Sequence, residues 1–174
     1  MGFFSKKITT DKITGSLVDF FDVGYGSLVV NFKDTFKDLK ISIKKEQDKE
    51  LLIVPMLAIT QAVLMTFKDM SKTEAILSKF QLDVVNQYFK DEIERNKFKE
   101  LFSKRCRDEY SEILNPENKD LGIQFGQIFC NHFFGKKEDG SHFAVMMFVG
   151  MSFLNQIVET KKFLDEILSK YEVI

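Results

Sequence analysis

The chain has 174 residues, 44% hydrophobic and 29% charged, a balance that suits one packed domain and excludes wholesale disorder. Its 25 basic and 26 acidic residues leave a net charge of −1, so no whole-chain field exists to recruit nucleic acid or an anionic membrane. Two cysteines, Cys106 and Cys130, exclude a disulfide framework and lack the spacing of a metal knuckle.

Nineteen phenylalanines recur at helical spacing, with only two prolines and no tryptophan. The pattern predicts an all-α, single-domain bundle of five or six helices with an apolar central helix, spanning residues 1–174. Met1 to Lys7 has no apolar stretch before its lysines, as a secretory signal needs. It also misses the myristoylation pattern, because Lys6 stands where Ser or Thr is required. Residues 1–9 read as a frayed end, with a small amphipathic anchor as the alternative. Reduced cysteines and no signal peptide predict a cytoplasmic protein.

Leu17, Phe21, Gly24, Leu28, Phe32, Phe36, Leu39 and Ile43 advance by three or four residues each time, one stripe on a first long helix with Asp11 as its cap. Gly24 and Gly26 weaken it by ~1 kcal/mol each relative to alanine and invite a kink. The alternation from Leu39 to Lys44 also fits a short strand. The charged run Lys44 to Glu50 is a connector or helix start. A second helix follows from about Asp48 to Met70, kinked at Pro55.

Ser71, with Glu74 three residues on, predicts the cap of a third helix running to about Glu92. A charged fourth helix covers about Ile93 to Leu114 and stops at Asn115-Pro116. Its mixed charges, Arg105 and Glu109 among them, read as a solvated face laced with weak pairs such as Asp91 to Arg95. The fifth helix spans about Asp120 to Phe134 and closes at Gly135. After a loop from Lys136 to Gly140, Ser141 caps a last helix reaching towards Tyr171.

Two stretches are apolar enough to need explanation. Leu51 to Phe67 is seventeen residues with Pro55, Thr60 and Gln61 inside, short of the ~20 a spanning helix uses. Paired with 143–158 it could form a membrane hairpin, but burial by neighbouring helices is the favoured reading. Phe143 to Leu154 is apolar all round for about three turns and carries Met146, Met147 and Met151, side chains that suit adaptable surfaces. It belongs in the bundle centre, or else faces a second subunit or an apolar ligand.

Gly122 and Gly126 lie four apart on one helical face, which allows a neighbouring backbone to approach closely. The run Gly122-Ile-Gln-Phe-Gly-Gln-Ile128 resembles the first homology motif of the B-cell-lymphoma-type apoptosis regulators, Gly-x-Asn-Trp-Gly-Arg-Ile. The likeness implies a helical bundle around an apolar helix that grips a partner helix. It covers seven residues, and the motif's Asn, Trp and Arg are replaced by Gln124, Phe125 and Gln127. The arginine's pairing with a partner's aspartate has no counterpart at Gln127, and the likeness assigns no family.

His132 sits among Phe129, Phe133 and Phe134 beside Cys130, yet a metal needs three or four ligands and no Glu-x-x-His pair is present. It reads as a satisfied histidine at the core margin. Cys130 and His132, two apart on a helix, point in different directions and form no catalytic pair. No phosphate loop, dinucleotide turn or nucleophile elbow appears. No catalytic, cofactor-binding or metal-binding residue is therefore assigned, no cofactor is expected, and an enzyme is the least favoured class.

The first functional expectation is a non-enzymatic helical protein that self-associates or binds a partner helix through an apolar surface. Its candidate residues are Phe129, His132, Phe133, Phe143, Met146, Met147 and Met151. The expected partner is a second copy or another protein, with no nucleic acid, an apolar ligand as an option and a membrane disfavoured. The alternative is an apolar small molecule or lipid held in a Phe/Met-lined pocket, with His132 or Tyr110 as its polar handle.

Overall fold

Thr9 opens the first helix: its Oγ1 accepts the Lys12 N–H at 3.3 Å, and Asp11 falls within the first turn instead of capping it. The structure, a computed structural model, describes residues 6–38, 44, 47–115, 118–135 and 142–174. In chain order these form β1 (Lys6–Ile8), α1 (Thr10–Asp38), α2 (Asp48–Thr66), α3 (Met70–Tyr88) and α4 (Glu92–Lys104). A π-helical turn (Arg105–Tyr110), α5 (Leu121–Phe134), α6 (Phe143–Lys170) and β2 (Tyr171–Val173) follow. The protein is a helical bundle, as its apolar periodicity predicts. The alternation at 39–43, the 136–140 loop and the Ser141 cap lie outside the described residues.

α2 is the central helix. It packs against α1, α3, α5 and α6, and every residue from Glu50 to Ile59 is buried. A helix apolar on all sides needs neighbours on all sides, and α2 has them. Pro55 is accommodated within a continuous helix. Around α2 the phenylalanines form two aromatic clusters. Phe21 meets Phe80 and Tyr88 edge-on between α1 and α3. Phe32 and Phe36 meet Phe133 edge-on between α1 and α5.

Several expected details are corrected. α1 runs unbroken through Gly24 and Gly26. The side chain of Gln156, on α6, fills the space a Cβ at Gly24 would need. α3 is capped by Asp69, not Ser71: the Asp69 carboxylate accepts from the Ser71 and Lys72 N–H groups at 3.0 and 3.3 Å. Leu64 and Leu154 are exposed and Phe148 is half-buried, although helical spacing alone would place them inward, while Phe21, Phe32, Phe36, Leu57, Phe67, Phe80, Val84, Phe125 and Phe129 are buried.

The fourth helix does not continue to Leu114. It changes to π geometry at Arg105, an extra residue per turn that no local sequence signal announces. β1 and β2 were not foreseen either. They pair in parallel, Lys6 opposite Tyr171 and Ile8 opposite Val173, and the Lys72 ammonium donates to the Val173 carbonyl.

A cytoplasmic placement does not stand. Among the described residues three helices are long and apolar enough to cross a membrane: Thr10–Lys37, Asp48–Thr66 and Phe143–Lys170, whose most apolar eighteen residues have mean hydropathies of 1.3, 1.5 and 1.4. Such helices suit membrane association. In the sequence the uninterrupted apolar runs 51–67 and 143–158 stand out, and α1 does not. A helix with one or two charges spread through eighteen residues meets the same length and hydropathy requirement, and α1 is such a helix.

Candidate interaction surface

Glycine sets the geometry of the α5–α6 pair. A Cβ on Gly126 would collide with the Met146 carbonyl, and a Cβ on Gly150 with the Gly122 carbonyl. Only glycine lets the two backbones come this close. Phe125 and Phe153 stack between them with ring centroids 3.7 Å apart, and Tyr110 stacks on the other side of Phe125 at 4.7 Å. The Gly122–Gly126 pair thus serves helix packing within the chain.

This approach leaves one face of α6 uncovered. Its inward residues Val145, Val149, Phe153, Ile157 and Leu164 are buried. Outward stand Phe143, Met147, Met151, Leu154 and Val158, separated by three or four residues and so forming one stripe. Phe143 is 60% exposed, Met151 58%, Leu154 36% and Val158 50%. Ile123 of α5, 47% exposed, joins Met147, Met151 and Leu154 around a shallow depression. Met65 of α2 meets Leu154 and Val158 at a second, adjoining one.

The seven candidate residues therefore part company. Phe129, Phe133 and Met146 belong to the core, with Phe129 and Phe133 stacked at 5.2 Å. Phe143 and Met151 are exposed on the stripe, with Met147 half-buried between them. His132 sits in neither group; its Nε2 lies against the Glu109 carboxylate. α6 is not the bundle centre that its apolar sequence first suggests, since α2 holds that place.

Behind the surface lies a buried ionic network that was read from sequence as a solvated face. The Arg105 guanidinium reaches Glu50 at 2.7 Å and Glu109 at 2.8 Å, with both its own side chain and that of Glu50 about one-tenth exposed. Burial alone would lower the Arg105 pKa, but the hydrogen bonds and charges of Glu50 and Glu109 outweigh it and raise it. Burial, reinforced by the Arg105 charge, lowers the pKa of His132 against the opposing pull of Glu109. Burial also drives Tyr110 well above its ordinary range. Its hydroxyl finds no hydrogen-bond partner among the described residues.

A signal for this network exists in the sequence. Phe98, Phe102, Arg105 and Glu109 continue at helical spacing, so the charged pair prolongs an apolar stripe instead of the wet face. Among the described residues no group of three or more His, Cys, Asp or Glu side chains could hold a metal ion. The network's chemistry is charge pairing, with one arginine bridging two carboxylates from α2 and the π turn. Comparison with protein-family models, curated proteins and solved structures finds no match, so the motif likeness at Gly122–Ile128 gains no support there.

Proposed function

We propose that the protein is a non-enzymatic helical interaction module that pairs with a second copy of itself through the α5–α6 face. The supporting observation is the uncovered stripe of Phe143, Met147, Met151, Leu154 and Val158, extended sideways by Ile123 and Met65. Their exposures amount to a patch on the order of 500 Å², in the upper part of the ~300–600 Å² of the largest apolar patch on a monomer, a kind of patch that is often functional. It approaches the roughly 800 Å² per partner of a standard interface.

The rim argues for a protein over a lipid surface. Lys119 and Asp120 border the stripe beside Met151 and Leu154, and Glu159, Lys161, Lys162 and Asp165 follow it beyond Val158. A membrane-facing helix carries a predominantly basic polar face. An apolar centre flanked by both signs of charge is complementary to itself, as a two-fold contact requires. Met147 and Met151 add polarizable side chains that repack readily.

Size-exclusion chromatography with light scattering tests this. The wild-type chain is expected to run as a dimer at micromolar concentration. Met151→Asp should raise the dissociation constant about 100-fold while leaving the helical circular dichroism unchanged. A wild-type monomer at 100-fold higher concentration would overturn the reading. If that monomer floats with neutral phosphatidylcholine vesicles, the stripe belongs to a membrane; if it does not, self-pairing is simply absent.

A further inference from the structure

The cleft between α3 and α4 has no part in the dimer face, and its lining is chemically polarised. Its volume is about 540 Å³, within the ~300–1,000 Å³ range of small-molecule sites. Met56 from the central helix, Val85 from α3 and Phe102 from α4 form a buried apolar floor. Lys99 is the sole charged residue lining it, and it makes no ion pair among the described residues. Ser78 and Ser103 lie on opposite walls and offer hydroxyls to the same space.

We propose that this cleft binds an amphiphilic monoanion, a carboxylate with an unbranched apolar tail such as a fatty acid. Lys99 meets the carboxylate, and Ser103 lies between it and Cys106 along the wall. The tail runs along α4 over Phe102, Val85 and Met56 towards Cys106 in the π turn. Seven residues separate Lys99 from Cys106, about 10 Å of helix, so the cationic end and the tail end are distinct. Burial pushes the Cys106 thiol up to about 11, so the far end stays uncharged at neutral pH and suits a methyl terminus. One cation and one neutral end select a single negative charge on one end of the ligand. A dianion or a uniformly polar molecule leaves the floor unused.

Calorimetric titration of the full chain with decanoate below its micelle concentration tests the assignment. Saturable binding of one decanoate per chain is expected, with octanoate roughly tenfold weaker for the two methylenes lost. Lys99 is exposed, so Lys99→Glu should fold normally, weaken decanoate roughly tenfold and leave decan-1-ol binding unchanged. Bound decanoate should also slow alkylation of Cys106. Non-saturable uptake would overturn the proposal. So would an unchanged decanoate affinity in Lys99→Glu, or equal weakening of decanoate and decan-1-ol. Met151→Asp, which addresses the dimer face, should bind decanoate as the wild type does, so the two proposals fail separately.

Discussion

Arg105 illustrates how one side chain can hold two elements in register. It bridges Glu50 at the start of α2 to Glu109 within the π turn, and each of the three is mostly removed from solvent. Removing the cation leaves two buried carboxylates facing each other without compensation. Arg105→Met should therefore lower the unfolding free energy by about 3 kcal/mol, read from urea midpoints. A loss near zero would mean that water reaches the pair and that the network is a surface feature.

His132 adds a pH dependence to the same cluster. Its folded pKa lies below the ordinary histidine value, so the unfolded chain takes up this proton first as the pH falls. The stability it contributes is complete above about pH 6.5 and is lost as the pH drops from there towards the lower folded value. Between pH 7.5 and 5.5 the wild type should lose more stability than His132→Gln in matched urea titrations. Equal slopes would show that Glu109 offsets burial and Arg105 completely.

Among elements, the α5–α6 contact gives the sharpest contrast between glycines of one sequence. Gly126→Ala forces a methyl group into the Met146 carbonyl and should cost about 1–3 kcal/mol through displaced backbone. Gly26→Ala, on α1 with nothing near its Cβ position, should instead stabilise by up to ~1 kcal/mol. Thermal melts of the two variants should move in opposite directions. Shifts of the same sign would place the helices farther apart than described.

The helices themselves were legible because phenylalanines three and four apart can bury together only on a helix. Gly135 was legible as a stop, and it takes a left-handed φ of 66°. Helix starts were less so: Asp69 and Ser71 are both competent caps, and nothing local chooses between them. The π turn was illegible because one additional residue per turn leaves the apolar spacing nearly unchanged. Of the seven candidate residues, Phe143, Met147 and Met151 share one face of α6. Phe129, Phe133 and Met146 are equally apolar, and only the course of α1 and α5 consigns them to the core.

For the whole molecule, the apolar inventory exceeds what one bundle encloses. α2 absorbs most of its share, with 72% of its most apolar window buried. α1 and α6 bury only 28% and 39% of theirs, and the remainder of α6 is the proposed dimer face. The proposed carboxylate-binding cleft lies on α3 and α4 and shares no lining residue with that face, so a chain could occupy both surfaces at once. The Asp22 carboxylate on α1, which accepts from Gln87 and from the Tyr88 hydroxyl at 3.0 Å, ties α3 to α1 between them.

The smallest element carries a consequence for the order of assembly. β1 and β2 join opposite ends of the described chain, so closing them early would demand the largest loop entropy the molecule can incur. Contacts between successive helices, such as α5 with α6, close far shorter loops and form first. The strand pair is thus a late clasp, and the Thr10 amide bonds to Ile174 while the Ile174 amide bonds to Ile8. Neither the first turn of α1 nor the last of α6 can unravel alone once it has shut. Amides of β1 and β2 and of the adjoining helix turns then exchange with solvent as one cooperative unit.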